Sequence, residues 1–579
     1  MASRKLSTQE LEYEVNKIMN SESDYASSSD EYMPSESEHY SSSESENAII
    51  LGDIGESSDD EVCETEPRTK RGRTTAHPNS TFIWKFVGGF SPKIFDFDNA
   101  KSGVADNFPL EVDASESQYF KLFFDKDLVS IITSETNRYA TEKTGQGKWT
   151  NVDTSEMYSF LAICILMGIV EKPSLKDYWT TNKVIETPFF RNVFMRDRFM
   201  SLLYNIYFVD NNNMNADDCL RKIRPVYDLL KIKFSNLFHT FQDICIDESL
   251  ILWKGRLAFK QYIPSKRKRL GIKLFEACNV ETGYILNFII YTGSKTELDP
   301  ENEEFGIFGT IVNTLMKKYL NKQHILYVDN WYSSPLLFQH LFEQQTGACG
   351  TVKPNRKSMP VFKQNLPRGS CEVAYTNNML AIKWCDKKYV HMLTTVNTAT
   401  QKSTGKVNYK TQEEIKKPEC VVAYNMKMGG VDKVDMQVSF VECARKSLKW
   451  YKKLFFHLVD LSLYNAYILH QVRTGQKPSF SDFRLQIVSQ LIEEHHVPHS
   501  SRGRVTTVDN PLRLTQRHFP SPVPQTAAQG SRTQRRCHVC SMSKLQIRRR
   551  KDTRFMCTDC DVALCAHPCF RIFHTLKKY

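Results

Sequence analysis

The chain has 579 residues, of which 41% are hydrophobic, 12% aromatic and 25% charged, a globular composition that excludes a wholly disordered or collagen-like chain. At about 100–200 residues per domain, this length predicts three or four domains. The formal net charge is +11, but residues 1–66 hold 18 acidic and 3 basic side chains, so the remainder carries +26. A basic body behind an acidic tail favours nucleic acid or another polyanion as the partner, although a solvated basic surface has the same composition.

Residues 1–75 are predicted to be a disordered, acidic, Ser-rich tail, because 15 serines and 18 acids leave residues 1–66 with too few apolar side chains for a core. The basic cluster PRTKRGRTT near its end is typical of nuclear import or of a DNA contact, so we expect the protein in the nucleus. We expect no secretory signal, because the first residues lack an apolar stretch. We also expect no membrane span, because no apolar run reaches about 18 residues.

Beyond the tail, helical and strand patterns follow one another in blocks. Apolar residues recur with helical spacing in two of these blocks, and Asp153 followed by Glu156 marks a helix start. Other blocks carry the short strands, hairpin turn and helices of a mixed α/β domain. The predicted parts are a helical region (115–242 and 442–496), an α/β core (243–355 and 421–441), an inserted β-rich module (356–420), a flexible linker (497–536) and a Cys/His-rich domain (537–579).

Several acidic residues in the predicted α/β core lie at or near the ends of predicted strands or at the start of a predicted helix. Asp247 follows the apolar approach of the first strand, and Asp329 directly follows a later strand. Asp432 opens a helix, with Asp435 three residues on. Carboxylates so placed can point into one cleft and hold two Mg²⁺ ions about 3.5–4 Å apart for phosphoryl transfer, since Mg²⁺ selects oxygen ligands. Taken singly, each also has a structural explanation as a turn residue, a helix N-cap or a helix-dipole partner.

Six of the 16 cysteines fall in the last 43 residues, in pairs whose two-residue gaps suit tetrahedral Zn²⁺. Seven clear ligands fit neither one site nor two, so we predict two cross-braced zinc ions per chain, completed by His567 or else by His538. The expected sets are Cys537, Cys540 and Cys565 with that histidine, and Cys557, Cys560, Cys569 and His574. The other ten cysteines are expected to be reduced thiols in an intracellular protein.

Basic and aromatic side chains surround these two candidate sites. The predicted DNA contacts are Lys254, Arg256, Lys266, Arg267, Lys268 and Arg269 near the first strands, Asn330 and Trp331 after Asp329, Arg502 and Arg504 in the linker, and Arg535, Arg536, Arg548 and Arg549 around the cysteines. The cations would bind DNA phosphates, although a solvated loop is the alternative. Trp331 is a candidate to stack on a splayed base or to join the core. A cross-braced module of the RING or PHD kind would instead bind proteins.

The chain resembles the piggyBac-type transposases, and the placement of its acids resembles the ribonuclease H-like core of DDD/DDE recombinases. The segments that carry the resemblance are IDESLILWKGR (246–256), YIPSKRKRLGIKLFEAC (262–278), YVDNWYSSPLLF (327–338), GTVKPNR (350–356) and YNMKMGGVDKVDMQ (424–437), with the Cys/His end. Together they span the chain from about residue 115 to 579.

The resemblance implies a multidomain fold: an α/β RNase H-like catalytic core with an inserted β-rich module, a flanking all-α dimerisation and DNA-binding region, and a small C-terminal zinc-binding cross-brace domain. It implies that Asp247, Asp329 and Asp432 form the catalytic triad and bind two Mg²⁺ ions, which Mn²⁺ can replace, with Asp435 close by. It also implies a homodimer that excises its element through hairpinned ends and inserts it at TTAA. The partner is then double-stranded DNA, the terminal repeats and the target, with no membrane and no small-molecule substrate.

The sequence therefore predicts an active cut-and-paste DNA transposase. The alternative is a domesticated, transposase-derived DNA-binding or chromatin protein without transposition activity, against which the three intact acids argue. Zinc-dependent ubiquitin ligation is a third hypothesis, but it leaves most of the chain unexplained.

Overall fold

The apolar side chains of the computed structural model collect in two units, residues 1–496 and 497–579. The structure describes residues 82–264, 266, 269–299, 305–363, 365–407, 412–443, 447, 449–496, 518–525, 533–542 and 551–576. The predicted tail 1–75 and most of the predicted linker lie outside the described residues. Within the described ranges, no helix is both long and apolar enough to cross a membrane.

The first unit combines helices with one large sheet. Its helices are α1 (Glu116–Lys121), α2 (Lys126–Thr144), α3 (Thr154–Ile169), α4 (Pro188–Val193), α5 (Arg196–Asn205), α6 (Arg224–Asn236), α7 (Gly306–Met316), α8 (Pro335–Glu343), α9 (Glu419–Lys427), α10 (Gly430–Ser439), α11 (Trp450–Thr474) and α12 (Phe480–His495). Its strands are β1 (Gly103–Val104), β2 (Phe238–His239), β3 (Asp243–Leu252), β4 (Gln261–Tyr262), β5 (Leu270–Asn279), β6 (Ile285–Ile290), β7 (Ile325–Val328), β8 (Gly347–Thr351), β9 (Cys371–Tyr375), β10 (Leu380–Cys385), β11 (Tyr389–Thr394), β12 (Gln401–Val407) and β13 (Glu414–Pro418).

Two distant parts of the chain build the helical region. The predicted helix start at Asp153 is confirmed, because its carboxylate accepts a hydrogen bond from the Glu156 N–H at 2.7 Å and caps α3. The later helix α12 packs on α3 and α1, and α11 packs on α1. Residues 115–242 and 449–496 therefore share one core, which the helical spacing of apolar residues does not itself reveal.

A buried ion pair lies inside this helical region. Arg484 of α12 is fully buried and donates to the Asp460 carboxylate of α11 at 3.0 Å. The same carboxylate accepts hydrogen bonds from the Cys443 N–H, at 3.0 and 3.3 Å to its two oxygens. Cys443 follows α10, so this pair fixes the chain segment that leaves α10 to the helical core.

One mixed sheet organises the rest of the unit. Its central strand β3 pairs antiparallel with β5 and parallel with β7. β4 and β6 both pair antiparallel with β5, and β8 pairs in parallel with β7. β6 has the sequence ILNFII and is buried at every position, because α6 and α7 both pack against it. The edge of β6 is closed by Asn465, whose amide bonds both the N–H and the C=O of Ile285, at 2.8 and 2.9 Å.

The predicted inserted module is joined to this sheet. β11 pairs antiparallel with β8, and β10 and β9 continue the order outward, so the sheet has nine strands. β12 and β13 form a separate, largely exposed antiparallel pair. Without β11, β8 would present a row of unpaired backbone groups at the sheet edge. Residues 82–114 have no predicted element, yet Lys85 exchanges two backbone hydrogen bonds of 2.9 Å with Tyr375 of β9.

The second unit is small and cysteine-rich. Its elements are β14 (Pro520–Pro522), β15 (Arg535–Arg536), α13 (His538–Met542), β16 (Asp552–Thr553), β17 (Phe555–Cys557), β18 (Val562–Ala563) and α14 (Cys569–Thr575). The buried apolar residues beside its cysteines are Val539, Val562, Leu564, Phe570 and Phe573. The unit begins before the predicted boundary at residue 537, because β14 pairs with β17. β14 is an edge strand, where proline is tolerated, whereas its proline-rich sequence suggests a linker.

Removing one partner of the buried ion pair should be strongly destabilising. We expect Arg484→Met to lower the free energy of unfolding by about 3–5 kcal/mol, because it leaves the Asp460 carboxylate buried without its counter-ion. Urea unfolding followed by circular dichroism measures the change. The double variant Arg484→Met, Asp460→Leu should recover much of the loss, since neither charge then remains buried. A single variant as stable as the parent would contradict this assignment.

Candidate active site and metal centres

The pairing of β3 with β7 brings two of the predicted acids together. In this parallel pair Ile246 lies opposite Val328, so the next residues are neighbours: Asp247, inside β3, and Asp329, directly after β7. Asp329 is fixed by the turn that follows it, because its carboxylate accepts a hydrogen bond from the Trp331 N–H at 2.8 Å. Both carboxylates are half-buried.

The third acid comes from α10, which lies against β3 and β5. The helix approaches closely because Gly430 has no side chain: a Cβ there would lie 2.4 Å from the Cys245 sulfur of β3. Asp435 ties the helix to the same strand, since its carboxylate accepts a hydrogen bond from the Ser249 hydroxyl at 2.6 Å. Asp432 lies one turn earlier, with its side chain 59% exposed. The fold thus places Asp432 at the open side of the site and uses one Asp435 oxygen to anchor the helix.

Burial and like charge raise the pKa values of the inner acids. The pKa of Asp247 is raised well above its ordinary value by burial and by the carboxylates of Glu248, Asp329 and Asp432, while Lys266 opposes the shift. Burial and the Glu248 carboxylate raise the pKa of Asp329 to about 6. Such shifts mark carboxylates crowded into a low-dielectric cleft, which a bound cation would stabilise in their charged form.

Several site residues are absent from the sequence prediction. Glu276 of β5 lies opposite Asp247 in the β3–β5 register and is fully buried, and burial together with Asp435 and Asp247 raises its pKa well above the ordinary value. Glu248 accepts a hydrogen bond from the Tyr332 hydroxyl at 3.0 Å and lies 4.0 Å from the Lys273 ammonium. The strand register would have identified Glu276, but that register is set by pairing between distant segments.

The donor chemistry of Asp247, Asp329 and Asp432 fits Mg²⁺, because all three offer hard carboxylate oxygens and come from elements that converge. Among the described residues, the groups of three or more donor atoms within 4.8 Å of one another consist of cysteine and histidine alone. The three carboxylates are therefore neighbours that stand further apart than a closed metal cage. A lysine ammonium, that of Lys266, lies 3.2 Å from an Asp432 oxygen.

The predicted DNA-contacting residues fall into different environments. Lys254, Arg256 and Arg269 are exposed around β3 and β5, whereas Lys266 faces the carboxylates. Asn330 is half-buried, and its carbonyl accepts a hydrogen bond from Arg356 at 2.7 Å. Arg535 and Arg536 are exposed on β15 of the second unit. Arg267, Lys268, Arg502, Arg504, Arg548 and Arg549 lie outside the described residues.

The structure separates the two aromatic residues that follow Asp329. Trp331 is 48% exposed, and its ring contacts Phe308 at 5.6 Å and the Lys353 ammonium at 3.3 Å from the ring centre. Tyr332 is buried. Tyr332 is therefore a core residue, whereas Trp331 is partly exposed and has the Lys353 ammonium over its ring.

The second unit contains two groups of four cysteine or histidine residues, and the donor atoms within each group lie within 4.8 Å of one another. One group is Cys537, Cys540, Cys565 and Cys569, and the other is His518, Cys557, Cys560 and His574. In the first group the Cys540 sulfur lies 3.4 Å from that of Cys569. In the second, His518 Nδ1 lies 3.4 Å from the Cys557 sulfur, and His574 Nε2 lies 3.6 Å from the Cys560 sulfur. Both donor sets, four thiols or two thiols with two imidazoles, fit tetrahedral Zn²⁺.

These groups correct the predicted ligand sets. Cys569 joins the first group, and neither His567 nor His538 belongs to either one. Cys569 and His574 lie five residues apart on α14 and so point about 140° apart around the helix, which prevents them from sharing an ion. His518 enters because β14 pairs Pro520 with Cys557. Two residues before Pro520, it therefore lies beside the turn between Cys557 and Cys560, but no spacing motif links it to them.

Comparisons with known proteins match both units to families described as transposase-related. A family model described as Transposase IS4 matches residues 115–467, and one described as DDE_Tnp_1-like zinc finger matches residues 520–575. The human PiggyBac transposable element-derived protein 3 is 25% identical over 470 residues, which cover 77% of this chain and 74% of that protein. The human PiggyBac transposable element-derived protein 2 is 25% identical over 444 residues, covering 73% and 72%. A cryo-EM structure of the piggyBac transposase synaptic complex with hairpin DNA superposes with a TM-score of 0.61 at 21% identity, covering 80% of this chain and 97% of that one.

The corrected ligand sets give a test of the second unit. We expect the full-length protein to contain about two zinc ions per chain. His518→Ala should lose about half of this zinc in a mild chelator, because it removes one of four ligands from a single site. His567→Ala is the matched control and should retain both ions. Zinc is measured by inductively coupled plasma mass spectrometry, and equal losses from the two variants would show that His518 is not the ligand.

Proposed function

This chain belongs to the piggyBac-type transposase family, and we propose that it is a cut-and-paste DNA transposase that cleaves and joins DNA strands. The observation that carries the proposal is the convergence of Asp247, Asp329 and Asp432 from β3, β7 and α10 of one α/β fold. Intact acids at all three positions are what a catalytic member of the family needs.

The strand order supports an RNase H-like catalytic core. Three antiparallel strands, β6, β5 and β3, precede two that are parallel to β3, β7 and β8. Asp247 on β3, Asp329 directly after β7 and Asp432 on α10 then lie near the carboxyl end of β7. The added strands β9 to β11 extend the sheet beyond β8, on the side away from β5, so they leave this group of acids in place.

Asp247, Asp329 and Asp432 would hold the Mg²⁺ ions. When bound, such ions activate the attacking oxygen and stabilise the leaving oxygen in phosphoryl transfer. The chain's own residues fix the carboxylates that do this: the Trp331 N–H orients Asp329, and the Ser249 hydroxyl anchors α10 through Asp435. Asp435 accordingly acts as a positioning residue, while Asp432 is turned toward the open side of the site.

DNA is the proposed substrate of this site. The exposed side chains of Lys254, Arg256 and Arg269 provide phosphate contacts around it, and the partly exposed ring of Trp331 is a candidate to stack on an unpaired base. The solved relative holds hairpin DNA in its synaptic complex, which supports excision through hairpinned ends here. Insertion at TTAA, a homodimeric assembly and a nuclear location complete the proposal.

The alternative function is a domesticated DNA-binding protein without transposition activity. It is favoured by the two human relatives, whose names describe them as derived from transposable elements. An excision assay on a reporter flanked by the chain's own terminal repeats separates the two functions. Excision supports the transposase, whereas repeat binding without excision supports the domesticated protein.

Each member of the triad should be essential for strand cleavage. We expect Asp247→Asn, Asp329→Asn and Asp432→Asn each to lower excision by at least about 100-fold, because the loss of one carboxylate charge removes a metal ligand. Binding to terminal-repeat DNA should remain, since the exposed cations are unchanged. Asp435→Asn should be milder, because an amide oxygen still accepts the Ser249 hydrogen bond. Near-normal excision by any triad variant would remove that residue from the active site.

The second unit should supply specific recognition of the transposon ends. We expect a chain lacking residues 497–579 to lose preference for terminal repeats over scrambled DNA, while the first unit stays folded because its core is its own. Fluorescence anisotropy at several salt concentrations measures binding, and the intact protein should show the steeper salt dependence. If the shortened chain kept full specificity, the zinc module would be better explained as a protein-binding domain.

A further inference from the structure

Lys266 occupies an unusual position for a residue of a basic loop. The segment 262–269 carries four consecutive basic residues, a pattern typical of a DNA-contacting loop. The Lys266 side chain nevertheless turns inward: it is 25% exposed, and its ammonium lies 3.2 Å from an Asp432 oxygen. Lys254 and Arg269 of the same neighbourhood are exposed, so the inward position distinguishes Lys266 from them.

The ammonium interacts with more than one carboxylate. Burial alone would lower the pKa of Lys266, but Asp247, Asp432, Glu248 and Asp435 outweigh that effect and raise it. Lys266 in return lowers the pKa of Asp247 and of Glu276 against the effect of burial. The side chain is therefore a permanently charged cation shared among the acids.

The acidic cleft needs such a cation for electrostatic reasons. Six carboxyl groups converge on it, from Asp247, Glu248, Glu276, Asp329, Asp432 and Asp435. Like charges within a few ångströms repel strongly in a partly buried site, and the cluster would also repel the DNA backbone. Three described cations act on this cluster: Lys266, Lys273 and Arg356. Lys273 lies 4.0 Å from Glu248, and Arg356 interacts with Asp329. Lys266 is the one of the three whose ammonium contacts Asp432, on the open side of the triad.

We propose that Lys266 is a displaceable counter-ion of the active site, whose ammonium compensates Asp432 and Asp247 and competes with divalent metal ions for these carboxylates. The inference rests on the proposed function, because it assumes that the triad binds metal. Metal binding then requires the Lys266 ammonium to leave Asp432, where the nearby DNA backbone is the natural anionic partner.

The test measures Mn²⁺ binding to the full-length, zinc-loaded protein without DNA by isothermal titration calorimetry. We expect Lys266→Met to bind Mn²⁺ at least about tenfold more tightly than the parent, because methionine keeps much of the side-chain length and removes the competing charge. Lys266→Arg should stay close to the parent, since the charge is retained. Lys254→Met is the matched control, with the same change of charge at an exposed position, and should alter the affinity less than about twofold.

Two further measurements separate a counter-ion from a structural residue. Without added Mn²⁺, the zinc-loaded Lys266→Met variant should unfold at a lower temperature than the parent, and saturating Mn²⁺ should raise its midpoint by more than it raises that of the parent. The gain in affinity should shrink in the double variant Lys266→Met, Asp432→Asn, because one of the carboxylates for which the two cations compete is neutral. If Lys266→Met fails to fold, Lys266→Gln provides the same loss of charge with a polar side chain.

The possible results separate the counter-ion role of Lys266 from the metal-binding role of the triad. Unchanged or weaker Mn²⁺ binding by both neutral variants, with normal binding by the parent, overturns the counter-ion role and leaves the proposed triad intact. An equal gain in Lys254→Met also overturns it, because the effect would then reflect net charge alone. Binding by Lys266→Met but not by the parent supports it. The absence of Mn²⁺ binding in every variant overturns both the inference and the metal-dependent function.

Discussion

The repulsion among carboxylates gathered in one half-buried cleft is the constraint on which the arrangement of the first unit depends. Six acidic side chains converge there, and the pKa values of Asp247, Glu276 and Asp329 are raised by burial and by their neighbours. No single contact could hold such a cluster together. The hydrogen-bond ladders of β3 with β5 and β7 do so, because they fix the backbone from which Asp247, Glu276 and Asp329 project. The site is therefore a product of the sheet rather than of its own side-chain contacts.

The third acid needs a different support, since α10 has no ladder to hold it. Three contacts position this helix. They are the close approach of Gly430 to Cys245, the hydrogen bond from Ser249 to Asp435, and the buried Arg484–Asp460 pair that fixes Cys443 beyond the helix end. The last of these belongs to the helical region, which two distant parts of the chain build. Helical packing and active-site geometry are coupled in this way, so a change in the helical core would shift α10 and with it the position of Asp432.

The sequence was sufficient where local pattern decides, and insufficient where distant pairing decides. The helix start at Asp153 is a local signal, because its capping hydrogen bond joins residues that are three positions apart. The structure contains this hydrogen bond. Glu276 depends on the β3–β5 register, and His518 on the pairing of β14 with β17, so neither has a signature in its own segment. Cys569 was assigned to the wrong group because spacing alone ignores the direction of side chains around α14.

Lys266 shows most clearly why net charge and composition cannot assign a role to a basic residue. In sequence it is one of four consecutive cations, and nothing distinguishes it from Arg269, which is exposed. In the fold, its ammonium lies 3.2 Å from an oxygen of Asp432, the acid that α10 presents on the open side of the cleft. The same positive charge that would attract a phosphate at the surface here neutralises the residues that must act on the phosphate. A cation in this position serves both purposes only if it moves between them, and that movement links the electrostatics of the acidic cleft to the arrival of DNA.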